Sequence, residues 1–219
     1  MRGINRSNIP WLVGILGMSL AMCGGVAHAS WTFEVMGGSS VHAAIPISIA
    51  QEGYPVLRLT PLWKTHPFEE APYYSWRVGK WDGNTAWEFE LIHDKMILGN
   101  RTSEVTHFEV SHGYNYLLIN RAAKPDTRVL RLGAGLILSH PESTVRGQAF
   151  GDFDFLQGFY ISGAAAQAGI QYSVQVYGPA YLLGEAKLTA AWVRVPVAGG
   201  SADVPALALH GLLGLGYRW

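Results

Sequence analysis

Three residues of one predicted hairpin have the makings of a cation site. Asp94, His107 and Glu109 offer two carboxylates and an imidazole, a reasonable donor set for a divalent ion. The spacing His107-x-Glu109 places both side chains on one face of a strand. If the chain turns at Gly99 to Ser103, the register sets Asp94 opposite His107 or Glu109. Beside them, His93, Lys95 and His112 interrupt an otherwise apolar strand face, and Asn115 follows His112 by three residues. A hydroxyl nucleophile needs a base within hydrogen-bond reach, and Ser111 points away from its strand neighbour His112. The candidate catalytic residues are therefore His93, His112 and Asn115. The candidate metal ligands are Asp94, His107 and Glu109, and the implied cofactor is a divalent metal ion.

These residues are positioned by strands. Period-two alternation recurs along the chain, and no segment after the first 29 residues keeps a helical period. In Thr85–Leu98, Trp87, Phe89, Leu91 and Ile97 share one parity against Glu88, Glu90 and Asp94. In 104–120, Phe108, Val110, Tyr114, Tyr116 and Leu118 oppose His107, Glu109, Ser111, Gly113 and Asn115. Strands are expected at 31–45, 72–81, 85–98, 104–120, 127–140, 158–175, 180–196 and 205–219. Asp82-Gly83-Asn84 and Tyr177-Gly178-Pro179 make short turns. Residues 46–71 form a long first loop in which 54–66 are either a projecting hairpin or a ninth strand. An even strand number and alternating short and long connections point to an all-β, eight-stranded antiparallel up-and-down transmembrane barrel.

Composition agrees with export and with a membrane. Arg2 and Arg6, an apolar run from Ile9 to Met22, and Ala27-His28-Ala29 have the order of a signal peptide over 1–29. A lipoprotein box at Leu20–Cys23 is disfavoured because Met22 stands where a small residue is wanted. The domain is then 30–219, and the one cysteine, Cys23, leaves with the signal. Net charge is zero, which argues against a nucleic-acid partner. Charged residues are 15% of the chain, against about 25% in ordinary soluble domains. The last strand alternates Leu213, Leu215, Tyr217 and Trp219 with small or polar residues, a pattern resembling the signal read by the barrel-assembly machinery.

The glycines set the orientation. Gly79, Gly113, Gly133, Gly135, Gly163, Gly169, Gly214 and Gly216 lie on the polar parity, and an eight-stranded interior is crowded enough to favour them. The polar parity is expected to face inward, with Glu34, Glu88, Glu90, Asp94, Glu109 and Glu185 against Arg77, Arg131, Lys187 and Arg218, joined by His107 and His210. Arg77 should face Glu88 or Glu90. Such a filled, monomeric barrel is not a pore, and its surplus of acids calls for a compensating cation or proton. His93, Lys95 and His112 are left on the lipid side.

The segments Pro72-Tyr73-Tyr74, His93-Asp94-Lys95, His107–Asn115 (HFEVSHGYN), Leu132–Glu142 (LGAGLILSHPE), Glu185–Leu188 and His210-Gly211-Leu212 resemble a small family of outer-membrane proteins that includes the lipid A oxidase of rhizobia. The resemblance implies oxygen- and divalent-cation-dependent oxidation of the proximal glucosamine of lipid A to 2-aminogluconate, with outer-membrane lipid as partner. It assigns no catalytic residue. Outer-membrane lipid A deacylases use a His-x-Ser-Asn run, and here His112-Gly113-Tyr114-Asn115 puts tyrosine at the nucleophile position. A structural or adhesive barrel, working through loop 46–71, is the alternative without catalysis.

Overall fold

The alternation and the short turns wind this chain into a closed ring. A computed structural model describes residues 30–69, 71–151 and 157–219, apart from the side chains of Ser111 and His112, so the signal segment 1–29 lies outside the described residues. The strands are β1 (Ser30–His42), β2 (Ile47–Gln51), β3 (Leu57–Leu59), β4 (Trp63–Lys64), β5 (Tyr74–Asp82), β6 (Thr85–Leu98), β7 (Val105–Ala123), β8 (Arg128–Ser139), β9 (Glu142–Val145), β10 (Gln148–Phe150), β11 (Tyr160–Tyr177), β12 (Ala180–Val197) and β13 (Gly200–Arg218). Eight of them close an antiparallel barrel in the order β1-β5-β6-β7-β8-β11-β12-β13 and back to β1. Trp31 and Trp219 add a reciprocal pair of backbone hydrogen bonds at the seam, 2.8 and 3.0 Å long. A closed ring leaves no unpaired edge.

The ring strands match those expected from the sequence. Residues 54–66 are not a ninth ring strand. β3 pairs with β2 in a hairpin that stands on β13, and β4 pairs with Leu98 and Ile97 of β6. Together with the β9–β10 hairpin on β7, these pieces prolong the wall at the end opposite the short turns. At the short-turn end, Gly83 takes φ 55° and Gly178 φ 51°, the left-handed backbone a tight hairpin requires.

The polar parity faces inward through the lower barrel. Arg77 is fully enclosed, with Nε 2.8 Å from Glu34 Oε2, Nη1 3.2 Å from Glu90 Oε1 and Nη2 3.0 Å from Glu185 Oε2. Arg131 grips Glu88 at 2.7 Å, and Lys187 bonds Glu90. Gly216 belongs to this packing, because a Cβ there would come within 2.2 Å of the Tyr181 ring. Gly113 does not: its missing Cβ lies against Asn115, on the outer side.

Higher up, the pattern inverts. Ile47, Ile49, Ile92, Met96, Phe108, Val110, Val145, Val193, Val195 and Val204 make an apolar core inside the extended rim, while Arg194 and Asp203 pair across its outer surface at 2.6 Å. Below this level Leu132, Leu136, Leu188, Leu209, Leu213 and Leu215 stand exposed on the outer wall. This inversion corrects the expected orientation of β7. Tyr114, Tyr116 and Leu118 are buried inside, whereas His107, Glu109 and Asn115 face out. The apolar side chains of β7 fill the barrel instead of coating it.

Candidate functional site

The outer wall just below the inversion carries a row of polar side chains brought together by strand register. Tyr74 of β5 pairs with His93 of β6, His93 with Asn115 of β7, and Asn115 with Leu138 of β8. The rings of Tyr74 and His93 stack at 5.0 Å with planes 13° apart. His93 Nδ1 lies 2.8 Å from Asn115 Oδ1, and Asn115 Nδ2 donates to the Leu138 carbonyl at 3.2 Å. That second bond fixes the amide, so Oδ1 faces the ring and Nδ1 must carry the proton. His93 Nε2 then holds the free lone pair. It makes no hydrogen bond of normal geometry, although the Ala71 backbone lies close to the ring.

These outward-pointing groups are nonetheless covered. His93 is 5% exposed and Asn115 8%, and Lys95 and His140 are likewise buried, while Ser139, opposite Tyr114, points into the barrel. His140 packs edge-on against Phe159, and Ser139 bonds Ser162. The Ala71 backbone lies beside His93 on the β5 side. His66 and Ala71 both hold left-handed φ, 41° and 54°, an arrangement that costs about 1–3 kcal/mol per residue and clusters at functional sites. Tyr73 N donates to the Pro67 carbonyl at 2.8 Å. His66 bonds Glu69 at 2.7 Å and so holds that carboxyl below its ordinary range. Phe68, at the tip, is 88% exposed.

The other sequence candidates divide. His112 belongs to β7, but its side chain lies outside the described residues. Asp94 does not join His107 and Glu109. It points into the barrel, fully buried, with Ser40 Oγ at 2.7 Å and His42 Nε2 at 3.0 Å. The expected register misplaced it for two reasons. The β6–β7 ladder ends at Ile97 opposite Glu109, and a bulge carries the pairing from Asp94–Tyr114 to Met96–Val110. Residues 105–109 continue upward to pair with β9 instead, leaving His107 and Glu109 on the outer face with Glu142. His210 is interior as expected, between Tyr73 Oη and Thr189 Oγ1, each at 2.8 Å.

Sequence reasoning missed His42, Tyr74, His140 and Glu142. His42 and Tyr74 fall at strand ends, where parity carries least information. His140 and Glu142 were within reach, since His140-Pro141-Glu142 repeats the His-x-Glu spacing of His107 and Glu109. With Glu109 outside, the buried interior holds Glu34, Glu88, Glu90, Asp94 and Glu185 against Arg77, Arg131 and Lys187. Asp94 is met by His42 and His210 rather than by an arginine.

No protein-family model and no curated protein matches the chain. Solved structures do. The solid-state NMR structure of outer membrane protein AlkL in DMPC bilayers aligns over 94% of this chain and 97% of its own, with 13% identity and a TM-score of 0.46. Ail, the attachment invasion locus protein of Yersinia pestis, aligns over 87% and 99%, with 11% identity and a TM-score of 0.40. Neisserial surface protein A aligns over 88% and 100%, with 10% identity and a TM-score of 0.41. Likeness this distant concerns the course of the chain, not its chemistry.

Proposed function

We propose that this chain is an outer-membrane β-barrel that modifies lipid A, in the manner of a lipid A oxidase, at the polar row on its outer wall. The observation that carries the reading is the covered His93–Asn115 pair, set on the outward face where apolar surface gives way to polar. In a membrane-embedded barrel that boundary is the headgroup level. From Leu207 to Tyr217 the outward side chains of β13 are apolar or glycine. Ten residue steps at about 3.4 Å, tilted by about 40°, give about 26 Å, close to the ~25 Å apolar band of such barrels. A polar site at the top of that band meets the phosphorylated sugar of a lipid, not its acyl chains. The sequence resemblance supports oxidation over deacylation, and Tyr114, at the nucleophile position of a deacylase, is buried inside the barrel.

Mass spectrometry of lipid A from cells with and without the protein tests the activity. A gain of one oxygen is expected, loss of an acyl chain would make the protein a hydrolase, and unchanged lipid A would leave the binding reading. That second reading is favoured by one observation: the long first loop presents Val56, Leu62 and Phe68 to solvent.

Membrane embedding has its own test. Leu213, 76% exposed in mid-band between Gly37 and Gly184, faces hydrocarbon if the reading holds. Leu213→Arg is then expected to cost about 2–4 kcal/mol of folding stability in lipid vesicles. Urea midpoints equal to those of the unaltered protein would mean that this wall faces water.

A further inference from the structure

We infer that His107, Glu109 and Glu142 form a divalent-cation site on the outer face of the rim. Period-two geometry puts His107 and Glu109 on the same face of β7. Pairing of β7 with β9 sets Glu142 directly opposite Glu109, and Thr144 opposite His107. One donor atom from each of the three side chains lies within 4.8 Å of the others, and His107 Nε2 is 3.9 Å from Glu109 Oε1. An ion binding imidazole and carboxylate at about 2.0–2.2 Å in tetrahedral geometry needs donors about 3.3–3.6 Å apart, so side-chain shifts of up to about 0.7 Å close such a triangle.

Two features distinguish this group from an ordinary charged surface. Glu109 and Glu142 stand directly opposite each other on paired strands, where like charges repel, and a cation between them adds ligation to the contacts they make with His107 and His140. The site also opens onto a cavity of about 340 Å³ lined by His107, Glu142, Ser143, Thr144, Phe150 and Gly151. Three protein ligands beside such a space leave coordination positions for water or an anionic oxygen. The imidazole favours zinc or iron over magnesium and calcium, and the two carboxylates also suit manganese. His140 Nδ1, 3.7 Å from Glu142 Oε1, is placed to orient that carboxylate behind the ion. The inference is independent of lipid A modification, because it concerns binding alone.

The test uses the full barrel domain folded in detergent micelles, stripped with a chelator and dialysed against Zn²⁺ or Mn²⁺. About one equivalent should remain bound by elemental analysis, and Co²⁺ in its place should give a visible ligand-field spectrum. His107→Ala and Glu142→Gln should each weaken binding by about tenfold or more, while heat-modifiability on gels reports that both variants fold. His66→Ala removes a histidine that also contacts a glutamate, but in the loop, and should change nothing. Acid should release the ion, since protons compete for the same lone pairs. Absence of stoichiometric metal in the unaltered protein, or equal retention by His107→Ala and Glu142→Gln, would overturn the assignment.

Discussion

Arg77→Ala is expected to destabilise the barrel by about 3–5 kcal/mol, the usual consequence of removing one partner from a buried ionic network. The guanidinium is 1% exposed and reaches Glu34, Glu90, Glu185 and the Gln171 amide oxygen. Substitution by neighbours is only partial: Arg131 is gripped by Glu88 and stands 3.7 Å from Glu34 and Glu185, and Lys187 is bonded to Glu90 and stands 3.6 Å from Glu185. Truncation strands carboxylates in a space that admits little water, and it does so where β1, β5, β6 and β12 face one another. Urea unfolding of the refolded protein in vesicles measures the effect. Arg128→Ala serves as the comparison: its ion pair with Asp126 is 2.5 Å long but exposed, and its loss should leave the urea midpoint close to that of the unaltered barrel, because solvent screens such a pair. If Arg77→Ala unfolds within 1 kcal/mol of the unaltered barrel, the interior is not held by its ions, and apolar packing near the rim carries the fold.

The strands, their order and the short turns were legible in the sequence because each is a local signal. Thr85–Leu98 alternates regardless of what lies beside it, and Asp82-Gly83 turns regardless of which strands it joins. Interior charges on β1, β5, β6, β8 and β12 were legible for the same reason. What failed was the assumption that one face of a strand is apolar along its whole length. β7 runs from the band into the rim, and there the apolar side chains of 108–118 serve a core while the polar ones turn outward. Parity fixes which residues share a face but not which face is inside, and on this strand two environments stacked end to end blur the choice. Asp94 parted from His107 and Glu109 through register. A bulge near Asp94 leaves no mark in alternation, and the contribution of Glu142 depends on β9 folding back onto β7, a contact between segments more than thirty residues apart.

His93→Ala is expected to abolish lipid A modification, by a factor of at least about 100, while leaving the barrel assembled. The two effects separate because His93 contributes nothing to the ionic interior. Its ring lies on the opposite side of β6 from Glu90 and Asp94, between Tyr74 and Asn115, and its substitution leaves the wall's backbone ladder intact. Asn115→Asp provides the finer comparison. A carboxylate at that position loses the bond to the Leu138 carbonyl but still accepts from Nδ1, and it holds the ring charged and removes the Nε2 lone pair from use. Activity should therefore fall on Asn115→Asp with its optimum moved to higher pH, whereas Asn115→Ala should lose activity without such a displacement, because nothing then orients the ring. Tyr74→Phe keeps the stacked face and should be nearly silent. Lipid A profiles from cells producing each variant, alongside heat-shift gels to confirm folding, give the comparison directly. Full modification by His93→Ala would remove this row from the chemistry and leave the rim group of His107, Glu109 and Glu142 as the remaining place on the described outer wall where a lipid headgroup could be altered.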